Sequence, residues 1–211
     1  MQSSISKGKT KIILSNSNAK IYWEDVEVTQ NLGLNFGINT LGLWTDSTFA
    51  KWQILEKGED YFRIKVCFIN LPINQVWSLR LEREGLINWQ IDMEVEEYLH
   101  IDEKRFICLV SPRYKTWVNG YEQRDFPQIR NWEDIPLVNT SGRLVGVRFS
   151  SEGVFLPSLS IEPIESDSEE MRPFIQNTSV DINAHIVGLI SKDKNGKDYI
   201  PGYYKIFLAR L

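Results

Sequence analysis

Aromatic and charged side chains interleave through residues 111–136, SPRYKTWVNGYEQRDFPQIRNWEDIP. Flat aromatic rings stack on the apolar side of a sugar ring, while arginine and aspartate side chains hydrogen-bond its hydroxyl groups. Long segments broken by proline often carry binding residues. The pattern therefore predicts a carbohydrate ligand. An equally weighted alternative is that the aromatic residues only hold a long loop against the core. The predicted ligand-binding residues here are Arg113, Tyr114, Trp117, Arg124 and Trp132.

A second candidate site lies between Trp77 and Glu96, where polar and apolar residues alternate. Successive side chains of a strand point to opposite faces, so Arg80, Gln90 and Asp92 share one face. This face is either a solvated exterior or the floor of a polar binding surface. Asp92 and Glu94 would lie roughly 7 Å apart along the strand. That spacing would also suit the acid–base carboxylates of a glycosidase or epimerase.

The elements that must position these residues are β-strands. The alternation from Trp77 predicts two long strands separated at Gly85, with Trp77, Trp89 and Ile91 on the core face. Strands are also predicted over 12–14, 19–23, 49–55 and 61–69, and a continuously apolar, buried strand over 106–110. Together they predict an all-β protein, a large two-sheet antiparallel β-sandwich with one long irregular loop. A single domain over residues 1–211 is expected.

Three further predictions concern local structure. Residues 31–45, with three glycines, are expected to form a loop or an irregular edge strand. Residues 94–100 fit a short helix as well as a strand, and the longer alternation favours the strand. The last two strands, 180–190 and 203–211, are expected to be joined through a tight turn at Asn195-Gly196.

Composition narrows the classes of partner. The formal charge of −4, with no dense run of Lys or Arg, argues against a nucleic-acid partner. No apolar run is long enough to cross a membrane, and the apolar run near the N-terminus is too short for a signal peptide. Cys67 and Cys108 lie in apolar strands, which predicts buried free thiols and a cytoplasmic location. Asn139 and Asn177 match a glycosylation pattern that carries little weight without a secretory signal.

Recognised catalytic and cofactor motifs are absent from the sequence: it has no nucleophile elbow, P-loop, dinucleotide-binding fingerprint or HExxH. His100 and His185 have no metal-ligand neighbour at the usual spacing. The 193–198 segment DKNGKD resembles the start of a calcium loop but lacks the downstream Glu, so a turn is expected instead. No cofactor and no metal is therefore predicted.

Two segments, LWTDSTFAKW (43–52) and FRIKVCFINLPINQVWSLRLEREGLINWQIDMEV (62–95), carry a resemblance to a known family. Their strand length and rhythm resemble the middle strands of galactose-mutarotase-like supersandwich domains, found in aldose epimerases, polysaccharide lyases and other carbohydrate-processing enzymes. Epimerases of that family use a histidine and a carboxylate over a concave sheet. His100 and His185 match no such motif, so the resemblance implies a sugar-binding domain without catalysis.

Three hypotheses follow from the sequence. The leading one is a non-catalytic, carbohydrate-binding β domain of bacterial glycan metabolism or of a larger glycan-acting protein. The second is an epimerase- or lyase-like enzyme that uses Asp92, Glu94 or His100 as acid and base. The third is a structural or assembly protein whose aromatic residues form a protein interface.

Overall fold

The computed structural model describes residues 2–120, 122–138, 144–148, 156–164 and 171–211, and only the backbone of residues 192–194. These residues form strands and one short 3-10 helix, Ser47–Phe49. In chain order the strands are β1 (Gln2–Lys7), β2 (Thr10–Ser15), β3 (Asn18–Trp23), β4 (Val26–Glu27), β5 (Thr29–Thr40), β6 (Leu43–Asp46), β7 (Ala50–Lys57), β8 (Tyr61–Phe68), β9 (Ile73–Arg83), β10 (Leu86–Val95), β11 (Leu99–Val110), β12 (Thr116–Asn119), β13 (Glu122–Asp125), β14 (Glu133–Asp134), β15 (Val145–Arg148), β16 (Leu159–Pro163), β17 (Met171–Asn177), β18 (His185–Tyr199) and β19 (Gly202–Arg210).

The strands pair into two antiparallel sheets. Sheet A has the order β1-β2-β3-β5-β11-β18-β17-β14, with β4 beside β3 and β6 beside β5. Sheet B has the order β13-β12-β15-β16-β19-β10-β9-β8-β7. Apolar side chains of both sheets meet in one large buried cluster between them. The predicted all-β sandwich is confirmed.

The alternating segment from Trp77 forms β9 and β10, which pair directly with Ile91 opposite Trp77 and Trp89 opposite Leu79. All four side chains are fully buried. The alternation predicts this hairpin well because one face of each strand covers the core while the other does not. Gly85 supplies the left-handed φ of +74° that the connecting turn needs.

A line of aromatic rings crosses the core from one sheet to the other. Trp77 contacts Trp89 at a centroid distance of 5.2 Å, and Trp89 contacts Phe207 of β19 at 5.0 Å. Phe207 then stacks on Phe106 of β11, with centroids 3.9 Å apart and planes 6° from parallel. This last pair joins sheet B to sheet A, so β11 is fixed against the core by its inward face.

The expectation of a loop or an irregular edge strand over residues 31–45 is wrong for the residues up to Thr40, which lie in a strand inside sheet A. β5 is a twelve-residue strand inside sheet A, between β3 and β11, and β6 pairs with its second half. Gly33 allows a close backbone approach rather than breaking the strand. At Gly33 φ is +69°, and a Cβ would lie 2.1 Å from the carbonyl oxygen of Ala19 in β3.

Gly33→Ala is expected to lower the free energy of unfolding by more than the ~1–2 kcal/mol of a left-handed backbone alone, because the new methyl group also meets the β3 backbone. Gly42→Ala is the matched control, since φ there is +79° but no atom lies within 4 Å of the added Cβ. Urea denaturation measures both. Equal losses for the two variants would show that the close approach at Gly33 does not matter.

The end of the chain also differs from expectation. β18 continues through Asn195-Gly196 as a bulge against β11, where the register shifts between Ile101 and Glu103. β18 and β19 lie in opposite sheets, so they cannot form the expected hairpin. Residues 94–100 are not helical: β10 ends at Val95 and β11 begins at Leu99. Of the two alternatives, the strand describes this region better than the helix. The chain nevertheless passes from sheet B to sheet A between β10 and β11.

The cysteines, the membrane criterion and the glycosylation pattern were each the subject of an expectation from the sequence. Both cysteines are free thiols; Cys108 is buried as predicted, whereas Cys67 is only half-buried. In the described ranges, no helix has the length and apolar character needed to span a membrane. Asn177, one of the two glycosylation-pattern asparagines, is buried, which leaves no room for a glycan. Asn139 lies outside the described residues.

Candidate functional site

A groove of about 400 Å³ lies on the outer face of sheet A, on the side away from the core. This volume falls within the ~300–1,000 Å³ of small-molecule sites. We call it the sheet-A groove. Its floor is apolar and its two exposed aromatic side chains are Trp44 of β6 and Trp132, which precedes β14. The floor residues are Leu32, Ile107, Leu109, Ile182 and Ile186.

The alternation within β11 creates this floor. Phe106, Cys108 and Val110 point into the core, so Ile107 and Leu109 must point outward. Leu109 is nevertheless buried, because it packs in a second small apolar cluster with Ile186 of β18. The continuously apolar run over 106–110 is thus confirmed as a buried strand. Its two apolar faces serve different purposes: one is core and the other is groove floor.

Arg105 is held rigidly at the side of the groove. Its Nε donates to Glu103 Oε1 at 2.6 Å, and its guanidinium lies 4.4 Å from the Trp44 ring centroid and 5.4 Å from that of Phe174. Gly188 makes room for the Phe174 ring, because an added Cβ there would lie 2.6 Å from it. At Gly37 an added Cβ would only touch Trp44, at 3.5 Å. Two aromatic rings therefore lie against one cation.

Two amide side chains offer polar contacts inside the groove. Asn35 of β5 lines it and is only 3 % exposed, and its Oδ1 has no hydrogen-bond partner among the described residues. Gln176 of β17 also lines it. A buried amide without a partner is costly unless something else satisfies it. Asn35 thus marks a position where a ligand hydroxyl group or a water molecule is needed.

Asp46 is the carboxylate that lines the groove, and local structure already occupies it. It caps the 3-10 helix: Oδ1 accepts a hydrogen bond from the Thr48 backbone N–H at 2.8 Å and a second from the Thr48 hydroxyl. Such capping is the usual role of an aspartate before a helical turn. Asp46 is therefore a structural residue at the groove wall.

Trp132 reaches the groove because the segment before it is fastened to the sandwich. The Phe126 ring stacks on His185 of β18, with centroids 3.7 Å apart and planes 10° from parallel. His185 Nδ1 lies 2.7 Å from Asn177 Oδ1, and Asn177 Nδ2 donates to the Pro127 carbonyl at 3.0 Å. We call this set the His185 latch. Burial, and then the nearby Lys115 charge, lower the pKa of His185 to about 4, so the ring is neutral at pH 7.

Of the residues predicted from the 111–136 segment, two are core residues. Tyr114 and Trp117 are fully buried, with no ring face open to a ligand, which corrects the expectation that they stack on a sugar. The Tyr114 hydroxyl donates to the Pro157 carbonyl at 2.8 Å, and burial raises its pKa. Both rings hold the segment against the sandwich, as in the alternative interpretation. Trp132, 53 % exposed, is the predicted aromatic that lines the groove.

Arg113 and Arg124 lie away from the groove lining. Arg113 is exposed at the turn that follows β11, and its backbone N–H donates to Ser111 Oγ. Arg124 lies on β13 at the edge of sheet B, where its Nε is 2.8 Å from Glu122 Oε1. Neither side chain shares a described cavity with Trp132.

Arg80, Gln90 and Asp92 share the outer face of sheet B, as the alternation predicts. They are therefore on the side of the sandwich opposite Trp132. Gln90 Nε2 donates to both carboxylate oxygens of Asp92, at 3.1 and 2.9 Å, and the Arg80 guanidinium lies 4.9 Å from the Tyr61 ring centroid. Gln90 and Asp92 therefore pair with each other on this face, and Arg80 packs on Tyr61. The structure does not bring them together with the sheet-A groove.

The acid–base hypothesis finds no common cleft in the described residues. His100 Nδ1 lies 2.6 Å from Asp198 and its Nε2 lies 3.5 Å from Asp102. The hydrogen bond to Asp198 raises the pKa of His100, and the imidazole is held between two carboxylates. Asp92 and Glu94 lie on the outer face of sheet B, whereas His100 belongs to sheet A. Among the described residues, no group of three or more His, Cys, Asp or Glu side chains could hold a metal ion.

Most of the groove residues carry no signal that the sequence makes visible. Trp44 lies in a segment that was expected to be irregular, and Asn35 and Gln176 carry no motif. The one usable signal was Arg105, a charged residue that directly precedes the apolar run of β11.

A second cleft, of about 630 Å³, lies between the β2–β3 turn and β7. Its aromatic residue, Trp52, has its indole N–H bonded to the Ser47 carbonyl and packs on Trp77, so it offers less to a ligand.

Comparisons with known proteins give a fold and no family. No family model matches the chain, and no curated protein matches it. Among solved structures, the GH36 α-galactosidase AgaB from Geobacillus stearothermophilus matches with a TM-score of 0.52 at 7 % sequence identity. The match covers 100 % of this chain and 39 % of that one. The likeness is one of fold. At that level it agrees with the two-sheet β-sandwich that the sequence predicts.

Proposed function

We propose that this protein binds a saccharide in the sheet-A groove without transforming it, in the context of glycan metabolism. The observation that carries the proposal is the presence of two exposed tryptophans beside a buried polar atom that lacks a partner. Trp44 is 47 % and Trp132 53 % exposed, and both line the groove that contains the unpartnered Asn35 amide oxygen. Apolar ring faces and a few directed polar groups are what a pyranose ring requires.

The absence of catalysis in this proposal rests on the state of the acidic groups in and beside the groove. Asp46 accepts two hydrogen bonds from Thr48, and Glu103 is paired with Arg105. A general acid or base must be free to exchange a proton with the substrate. The described lining of the groove contains no histidine. The fold of the GH36 α-galactosidase supports the glycan context, but the chain spans only 39 % of that protein's length.

Trp132→Ala and Trp44→Ala are each expected to weaken saccharide binding at least tenfold, which corresponds to about 1.4 kcal/mol. The physical reason is the loss of the aromatic surface on which the sugar ring stacks. A glycan array with neutral and acidic oligosaccharides selects the probe, and calorimetric titration measures its affinity. Tyr203→Ala is the control, because Tyr203 is an aromatic residue 82 % exposed on sheet B.

Two results would contradict the proposal. One is an array without any bound saccharide. The other is binding that falls equally in Tyr203→Ala and in the two tryptophan variants, which would move the site or make the contact unspecific.

The apolar floor supports a second candidate function, a protein interface. Ile107, Ile182 and Ile186 are more apolar than most saccharide sites require, and contiguous apolar patches often mark contacts between proteins. Light scattering distinguishes the two. A molar mass that rises with concentration, and that returns to the monomer value in Trp132→Ala, would favour the interface.

A further inference from the structure

Arg105 offers a defined set of donors to the sheet-A groove. Its Nε is used by Glu103, whose Oε1 lies 2.6 Å away. The rings of Trp44 and Phe174 lie 4.4 and 5.4 Å from the guanidinium carbon and fix the plane of the group. Within the described residues, Nη1 and Nη2 have no hydrogen-bond partner. Arg105 therefore presents its two terminal nitrogens, side by side and held still.

The chemistry of such a group selects its ligand. Two parallel N–H donors of a guanidinium match the two oxygens of a carboxylate, and charge-assisted bonds of this kind are about twice as strong as neutral ones. A sugar hydroxyl would use one donor at a time. The nearby floor is apolar, so the guanidinium cannot keep its full hydration when the groove is covered. A carboxylate is the ligand group that replaces that hydration.

The neighbouring groups leave this position to the ligand. Glu103 bonds at Nε, which leaves the edge formed by the two terminal nitrogens to the ligand. Asp46, across from Gly37, is occupied by Thr48. Asn35 stands opposite Ile107, two residues from Arg105 along β11. Its amide is placed to bond a hydroxyl group of the same sugar residue.

We infer that the sheet-A groove takes an acidic saccharide, one that contains uronic acid, and that Nη1 and Nη2 of Arg105 bind its carboxylate while Asn35 and the tryptophans hold the ring. This inference rests on the proposed function, and it makes Arg105 the residue that determines specificity. Arg105 sets the preference for acidic over neutral saccharides, and the stacking tryptophans set the affinity for saccharides in general.

Calorimetric titration with an oligogalacturonate and with its methyl ester tests the inference, because the two probes differ only in the charge and shape of the carboxyl group. The protein is expected to bind the acid at least tenfold more tightly than the ester. Arg105→Gln should remove this preference while the affinity for the ester changes by less than about twofold, a difference below 0.5 kcal/mol. Arg105→Lys keeps the positive charge but lacks the two parallel N–H donors of the guanidinium, so it should retain only part of the preference for the acid over the ester.

Arg80→Gln is the matched control, since Arg80 also lies over an aromatic ring but on the outer face of sheet B. It should leave both affinities unchanged. Equal affinity of the wild-type protein for acid and ester overturns the inference, as does an Arg105→Gln variant that weakens both equally. If Arg105→Gln fails to fold, Arg105→Lys gives the test by itself. Binding of neutral saccharides through Trp44 and Trp132 without preference for the acid overturns this inference alone, whereas binding of no saccharide at all overturns the proposed function.

Discussion

Replacing Phe106 with alanine is expected to lower the free energy of unfolding by ~3–5 kcal/mol, the usual cost of removing a fully buried phenylalanine. The ring stacks on Phe207 at 3.9 Å and also contacts Phe36 at 5.2 Å, so its removal leaves a cavity between the two sheets. Urea denaturation, followed by tryptophan fluorescence, measures the change.

Phe49→Ala serves as the control for Phe106→Ala, because Phe49 is 67 % exposed and should cost within ~0.5 kcal/mol. A loss below ~1 kcal/mol for Phe106→Ala would mean that the rings do not pack between the sheets.

Acidification from pH 7 to pH 4 is expected to remove about 3 kcal/mol of stability through His185 alone. Burial lowers its pKa to about 4 in the folded protein, whereas an unfolded chain has a value near 6.5. Between these values the unfolded state binds the proton more readily, so the contribution is complete above about pH 6.5 and is lost as the pH falls to 4. Urea midpoints at several pH values measure the slope.

His185→Gln is the variant that isolates this effect, because glutamine does not titrate. It should be less stable at pH 7 and should lose the part of the slope between pH 6.5 and 4. His100→Gln is the control. The hydrogen bond to Asp198 raises the pKa of His100, so its contribution has the opposite sign and is lost as the pH rises. An unchanged slope in His185→Gln would contradict a neutral, buried His185.

The His185 latch connects this stability effect to the site. Phe126 and Pro127 are the residues that the latch holds, and Trp132 follows them by only a few positions. A charged imidazole would lose part of its stacking and its place in the buried network. Saccharide affinity should therefore decline together with stability at acid pH, although no groove residue is replaced.

The sandwich could be predicted from the sequence because strand alternation is local. In β9 and β10 each apolar residue needs only its own neighbours to reveal which face is buried, and Trp77 and Trp89 lie where the pattern places them. The same reasoning failed at Asn195-Gly196. A turn-forming pair can also form a bulge, and the choice depends on β11, a strand almost a hundred residues earlier.

The groove could not be predicted because its lining comes from strands that are distant in sequence. Asn35, Arg105 and Gln176 meet only because β5, β11, β18 and β17 are consecutive in sheet A. Burial of an aromatic ring is equally non-local. Tyr114 and Trp132 have similar surroundings in the sequence, yet one is in the core and the other is at the groove.

Tryptophan indole NMR tests the central claim most directly. The protein has seven tryptophans, and each gives one indole N–H signal in a ¹⁵N-labelled sample. Trp44→Phe and Trp132→Phe assign the two groove signals. On addition of the oligogalacturonate, or of the saccharide selected by the array, the signals of Trp44 and Trp132 should shift together while those of the buried Trp77, Trp89 and Trp117 stay in place. Shifts confined to other tryptophans, or no shift at saturating saccharide, would contradict a saccharide site in the sheet-A groove.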